Sequence, residues 1–351
     1  DVIDASATHA ASTGFLSTAA NGVLSLADNA TLAVAGNTTL NGTTTISGPN
    51  VSFSIDGSLN LGSSGTLNLE ITHPTQHSII SSLGLATLGG TLNVSFGGGV
   101  SPALGAAWTI IDSSAASGSF GSINLVGGNL GLGQVAGISQ VGGGNGVLTQ
   151  LAIQQRLVLE LDRASGAASI KNPGAAAIAI DGYTIESLQG ILLPSGWNSF
   201  ASRPIAGWVE VPATTNGLGE LENTADGRLT FDPAAAEAIG NLYNPLADPE
   251  FGAALPEDMV FTYRDPDAGV CFGVVEYVGA LQVHNLVLTV DPNSGNAQVR
   301  NASPTQSIAI DGYTITSASG SLLTSFDSSL PDTDWAETAG SANGVGELNF
   351  T

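Results

Sequence analysis

The chain has 351 residues and a formal net charge of −23, with 46 Gly, one Met, one Cys and only 11% charged residues. An apolar content of 42% excludes a disordered chain. Seven Lys and Arg in total, none before Arg156, exclude nucleic acid and anionic membrane surfaces as partners. No run of 18 apolar residues is present, so no membrane insertion is expected.

Residues 1–20 read as an N-terminal extension. The chain opens at Asp1 without an initiator Met or a signal peptide. The expectation is a processed secreted protein, or an internal segment of one, at the cell surface or outside the cell. From residue 21, short apolar pairs recur every six to eight residues: Leu24 and Leu26, Leu32 and Val34, Phe53 and Ile55, Leu59 and Leu61, Leu67 and Leu69. The period within a pair is two, which marks a strand, and Gly or Asn separates the pairs. A chain that bends this often while turning the same alternating face inward suits a β-solenoid. A sandwich of short hairpins would want longer strands. Residues 73–155 are less regular and end Gly-rich, so they read as the closing cap of a solenoid-like domain over 21–155.

Ala86-Thr87-Leu88-Gly89-Gly90-Thr91-Leu92-Asn93-Val94, Pro102, Gly105, Trp108-Thr109-Ile110-Ile111 and Gly118-Ser119-Phe120 carry a resemblance. The stretch resembles the Gly-rich, autotransporter-like β-helical proteins of bacterial surfaces. That resemblance implies a β-solenoid exported across the envelope.

Residues 156–285 form a second region whose pattern recurs. Ile178-Ala179-Ile180-Asp181-Gly182-Tyr183-Thr184-Ile185 returns as Ile308-Ala309-Ile310-Asp311-Gly312-Tyr313-Thr314-Ile315. Leu157-Val158-Leu159 returns as Leu286-Val287-Leu288, and Asn216-Gly217-Leu218-Gly219-Glu220-Leu221 as Asn343-Gly344-Val345-Gly346-Glu347-Leu348. Strand and turn signals through 156–285 fit a β-sandwich, and 286–351 matches only its first half. A short helix is expected at 233–239, with Asp232 as its cap, Pro233 in the first position and Gly240 as its stop. The Asn-Pro turn followed by Ile-x-Ile-x-Gly-Tyr-x-Ile also resembles the lamin-tail-like immunoglobulin sandwiches of secreted bacterial proteins. The fold class expected is therefore all-β: a solenoid-like segment, then tandem jelly-roll or immunoglobulin-like sandwich units, the second incomplete.

Asp181-Gly182-Tyr183 and Asp311-Gly312-Tyr313 read as structural: a tight Asp-Gly turn with positive φ, then a packed Tyr. Asp248, Glu250, Glu257, Asp258, Asp265 and Asp267 are the densest acids and the calcium candidate, since calcium takes six to eight oxygens. A solvated loop is the competing reading. Trp197, Trp208 and Trp335, with Tyr183 and Tyr243, are candidates to stack against sugar rings, weighed against burial in a core. His73 and His77 sit in a loop with no third ligand, so they read as exposed histidines. Cys271, flanked by Val270 and Phe272, reads as a buried structural Cys.

No catalytic constellation is apparent. β-Helical lyases need Lys or Arg, which residues 1–155 lack. Among the acids there, Asp28 and Asp56 have no spacing that pairs them. The expected protein is not an enzyme. It reads as an extracellular structural protein of a surface fibre, filament or adhesin stalk, polymerising head-to-tail with itself, with residues 1–20 donating a strand to the half unit. A carbohydrate-binding scaffold, with polysaccharide as partner, is the alternative. No cofactor other than calcium is suggested.

Overall fold

A computed structural model describes residues 15–27, 29–203, 205, 207–224, 227–243, 254, 256–281, 283–302, 307–324 and 334–349, and the backbone of 3–5. The described residues are all-β, in several sheets, with one 3-10 turn at Pro194–Gly196. No helix among them is long and apolar enough to cross a membrane.

After β1 (Ile3–Ala5), the strands come in triplets. The first is β2 (Leu16–Thr18), β3 (Val23–Ala27) and β4 (Thr31–Val34). The second is β5 (Thr38–Leu40), β6 (Thr43–Ser47) and β7 (Ser52–Ile55). Then follow β8 (Leu59–Leu61), β9 (Thr66–Ile71) and β10 (Ile79–Ser82), and β11 (Leu85–Leu88), β12 (Thr91–Phe96) and β13 (Ala107–Ser113), with β14 (Ala115–Gly118) and β15 (Ser122–Val126) last. Each strand pairs in parallel with the strand in the same place of the next triplet. Three sheets result: β1-β3-β6-β9-β12-β15, β2-β5-β8-β11-β14 and β4-β7-β10-β13. The hairpin β16 (Gln134–Gly143) and β17 (Gly146–Gln155) closes the third sheet by antiparallel pairing to β13.

The alternation seen in the sequence explains the core. Leu24 and Leu26 face inward, and Thr44 and Ile46, Leu67 and Leu69, and Leu92 and Val94 stack in line with them. Each fully buried Leu or Ile contributes about 2 kcal/mol of apolar transfer. Outward positions carry a ladder of side-chain hydrogen bonds. Asn124 donates to Asn93 at 2.8 Å, Asn93 to Asn68 at 2.8 Å and Asn68 to Thr45 at 3.1 Å. The partners lie 31, 25 and 23 residues apart, which is the local length of one triplet. The parallel stacking runs on to β15, well past the point near residue 72 where the sequence loses its regularity.

Glycines sit where the stack turns a corner. At Gly42 an added Cβ would lie 2.1 Å from the carbonyl oxygen of Gly22, and Gly90, at φ +67°, would lie 2.0 Å from that of Gly65. Strands about 4.8 Å apart leave no room there for a side chain.

A second, separate apolar cluster begins at Leu157. Its strands are β18 (Val158–Asp162), β19 (Ala167–Lys171), β20 (Ile178–Ile180), β21 (Gly182–Ser187), β22 (Trp208–Glu210), β23 (Gly217–Glu222), β24 (Leu229–Phe231), β25 (Ala236–Asn241), β26 (Met259–Asp265), β27 (Gly269–Phe272) and β28 (Val274–Val278). They form a four-stranded sheet β25-β19-β18-β28, a five-stranded sheet β22-β23-β21-β26-β27 and the pair β20-β24. Both larger sheets supply the cluster: Leu159, Leu161, Ile170 and Ile239 from one, Tyr183, Ile185, Leu218 and Phe261 from the other.

The helix expected at 233–239 is absent. Ala234 takes φ +61°, and Ala236–Asn241 is strand β25, paired antiparallel with β19. Its Ala and Glu favour a helix, but that preference is weak beside the ladder bonds to β19 and the burial of Ile239.

The remaining strands are β29 (Leu286–Val290), β30 (Ala297–Asn301), β31 (Gly312–Thr316), β32 (Trp335–Glu337) and β33 (Gly344–Asn349). They reproduce part of the earlier region in register. Leu288 faces Val299 as Leu159 faces Ile170, and Tyr313 faces Glu347 as Tyr183 faces Glu220. The pairs β29-β30 and β32-β33-β31 repeat β18-β19 and β22-β23-β21.

Candidate functional site

The densest polar arrangement in the second cluster is built around Glu220. This carboxylate is fully buried, and among the described residues no base forms an ion pair with it. Pleating brings Glu220 of β23 opposite Tyr183 of β21. The Tyr183 hydroxyl donates to it at 3.0 Å, the backbone N–H of Phe200 to its two oxygens at 2.7 and 2.9 Å, and that of Ala201 at 3.2 Å. The Trp197 indole Nε1 donates in turn to the Tyr183 hydroxyl at 3.1 Å. Rings of Tyr183, Phe200 and Trp208 pack around it, with centroids 5.1 to 6.3 Å apart.

Burial pushes the Glu220 carboxyl above its ordinary value, against the pull of the Phe200 amide and the Tyr183 hydroxyl. Burial also raises the Tyr183 phenol, as does the Glu220 charge beside it. Fully buried and held by this set of donors, the carboxylate is placed to pin the 197–201 segment onto the sheet rather than to meet a substrate. The second copy retains the bond: Tyr313 donates to Glu347 at 2.7 Å, and Glu347 is buried. Tyr313 lies 6.3 Å from Trp335, as Tyr183 does from Trp208. In the sequence, Glu220 and Glu347 stand out only as members of the repeat. The signal that could have found the pin is a Tyr and a Glu both retained on paired strands.

The Asp-Gly steps are not positive-φ turns. Gly182 and Gly312 open strands β21 and β31, with ordinary φ. Glycine is needed because a neighbouring side chain crosses it: an added Cβ would lie 2.6 Å from Leu221 Cδ2 in one copy and 2.6 Å from Leu348 Cδ2 in the other. Asp181 accepts two 2.6 Å bonds from the Arg264 guanidinium, which raises the Arg264 pKa. Asp311 is exposed, and no base pairs with it among the described residues.

Of the calcium candidates, Asp248 and Glu250 lie outside the described residues. The others are dispersed among separate partners. Glu257 pairs with Arg163 at 2.6 Å. Asp258 accepts from Ser187 Oγ at 2.8 Å and the Gln189 amide at 2.6 Å. Asp265 accepts from the amides of Asp267 and Ala268, and Asp267 lies 4.0 Å from Arg228. Among the described residues no three His, Cys, Asp or Glu gather at a metal-binding distance.

The tryptophans do not form an exposed row. Trp208 is buried, Trp197 is half-buried and tied to Tyr183, and Trp335 is half-buried in the other copy. Tyr243 is buried. His73 Nδ1 accepts from the amides of Thr75 and Gln76, while His77 Nε2 meets the Thr109 carbonyl at 2.7 Å. Cys271 is buried opposite Tyr263. Asp28 lies outside the described residues. Residues 3–5 and 16–18, within the N-terminal extension, pair with β3 and β5.

Comparison of the chain with protein families, curated proteins and solved structures returns no match.

Proposed function

We propose that the chain is an extracellular structural protein, a β-solenoid followed by tandem β-sandwich units, serving in a surface fibre, filament or adhesin stalk. The observation that carries this reading is the repetition of register. Strands stack triplet on triplet over one continuous aliphatic core, and the two later units share strand pairing and the Tyr–Glu pin. Such repetition distributes stability along the chain through neighbour contacts. The likeness of residues 86–120 to autotransporter-like proteins supports export to the surface, and the acidic, base-poor composition supports solubility there. Head-to-tail assembly with other copies is the partner reading. Residues 1–20 are poor strand donors for it, because two of their segments are already paired.

The carbohydrate-binding alternative draws less support, since Trp208 and Tyr243 are buried. Electron microscopy of the native material tests the proposal. Filaments with a regular subunit repeat are expected. Monodisperse particles that bind polysaccharide would overturn the filament reading.

A further inference from the structure

Residues 286–349 hold the acceptor half of a sandwich unit, and the preceding unit shows what closes it. In the first unit β21 has partners on both sides, β23 on one and β26 on the other, and β18 is flanked by β19 and β28. Among the described residues, β31 pairs only with β33, and β29 only with β30. Apolar side chains that are buried in the first unit are open at the matching positions of the second. Leu159, Leu161, Ile170 and Ile180 are each 0% exposed, whereas Leu288, Val290, Val299 and Ile310 are 40%, 52%, 40% and 36% exposed.

The polar chemistry of the open edge is retained as well. Asp181 holds Arg264 of β26, and Thr184 bonds Thr262 of β26 at 2.6 Å. Asp311 and Thr314 keep the same places and are exposed. We infer that the open edge of β31 and the flank of β29 take a polypeptide segment patterned like Met259–Val278. Such a segment carries alternating apolar residues, a basic residue that lands opposite Gly312 beside Asp311, and a following strand that runs parallel to β29.

The occupant is not a second copy of residues 1–351. Each such chain has one segment of this pattern among its described residues and two acceptors for it, so exchange between copies leaves one acceptor per chain empty. A separate donor segment satisfies both, and strand addition of this kind removes an edge that otherwise invites aggregation. The inference rests on the reading of 286–351 as a second unit of the proposed structural protein.

The test appends a second copy of residues 225–278 directly after Thr351 in the full chain, which restores the succession found in the first unit. Hydrogen exchange of Gly312–Thr316 is then compared with that of the unextended chain. Slowing of the β31 amides by about a hundredfold or more is expected, as edge amides become interior ones. Arg264→Glu in the appended copy should reverse about tenfold of that protection, and Asp311→Lys in the same protein should restore it. Unchanged exchange after the extension would overturn the inference. So would protection that ignores the charge swap, or β31 amides already protected in an unextended chain that dimerises. Filaments in the microscope alongside failure of this test would leave the structural reading standing and remove only the donor segment.

Discussion

Tyr183→Phe tests the buried pin most directly. The substitution removes a hydroxyl that donates to Glu220 at 3.0 Å and accepts from Trp197 Nε1 at 3.1 Å, and leaves the ring packing in place. Losing a hydrogen bond to a charged acceptor costs about 1.5–3 kcal/mol. Three bonds from the Phe200 and Ala201 amides still hold the carboxylate, so the expected cost is about 2 kcal/mol rather than that of an unsatisfied buried charge. That corresponds to roughly thirtyfold faster exchange of the Phe200 and Ala201 amides, read site by site so that the separate N-terminal core does not mask the change. Glu220→Gln in the Tyr183→Phe background should cost less than it does alone, with about 1–2 kcal/mol of coupling.

The effect should also depend on pH. The hydroxyl bond favours the carboxylate form, so the penalty of Tyr183→Phe shrinks as Glu220 is protonated. A cost below about 0.5 kcal/mol that is the same at pH 5 and pH 7 would refute the argument that this bond holds a buried carboxylate.

Other outcomes follow from the same contacts. Burial raises the Glu220 carboxyl, so the folded state binds its proton more tightly than the unfolded state. The Glu220 contribution to stability therefore falls as pH rises from the ordinary Glu range through the raised folded value, a dependence that calorimetric melts should lose in Glu220→Gln. Gly90→Ala places a Cβ 2.0 Å from a backbone oxygen at φ +67°, and should cost about 3 kcal/mol or more in thermal unfolding of the stacked sheets. Asn93→Ala breaks two 2.8 Å amide bonds on the outer face and should cost about 1–2 kcal/mol by the same assay. Chelator should leave the melting temperature unchanged, because Glu257, Asp258 and Asp265 already hold protein partners; a fall of several degrees would reinstate calcium.

Much of this fold is written locally. Apolar residues two apart, with Gly or Asn between the pairs, are enough to specify short strands with one face inward, because pleating alternates side chains whatever the strand is paired with. The duplication at 178–185 and 308–315 likewise fixes which positions correspond. Residues 73–126 hid their regularity because the distance between stacked partners grows from 23 to 31 residues as loops lengthen, while the pairing stays in register. Strand β25 reads as helix in the sequence because its local composition favours one, and only β19 beside it supplies the competing bonds. The Asp-Gly steps resemble turns until Leu221 and Leu348 are seen lying across their glycines.

The candidate site was the least legible part. Glu220 is 37 residues from Tyr183, and its other donors are backbone amides, which no side-chain motif encodes. Periodicity along the chain therefore determined the strands, their inward faces and the repeated unit. Which strands pair, which carboxylate is buried, and which edge of β31 has no partner among the described residues were decided only in three dimensions, because each depends on groups that meet from distant positions.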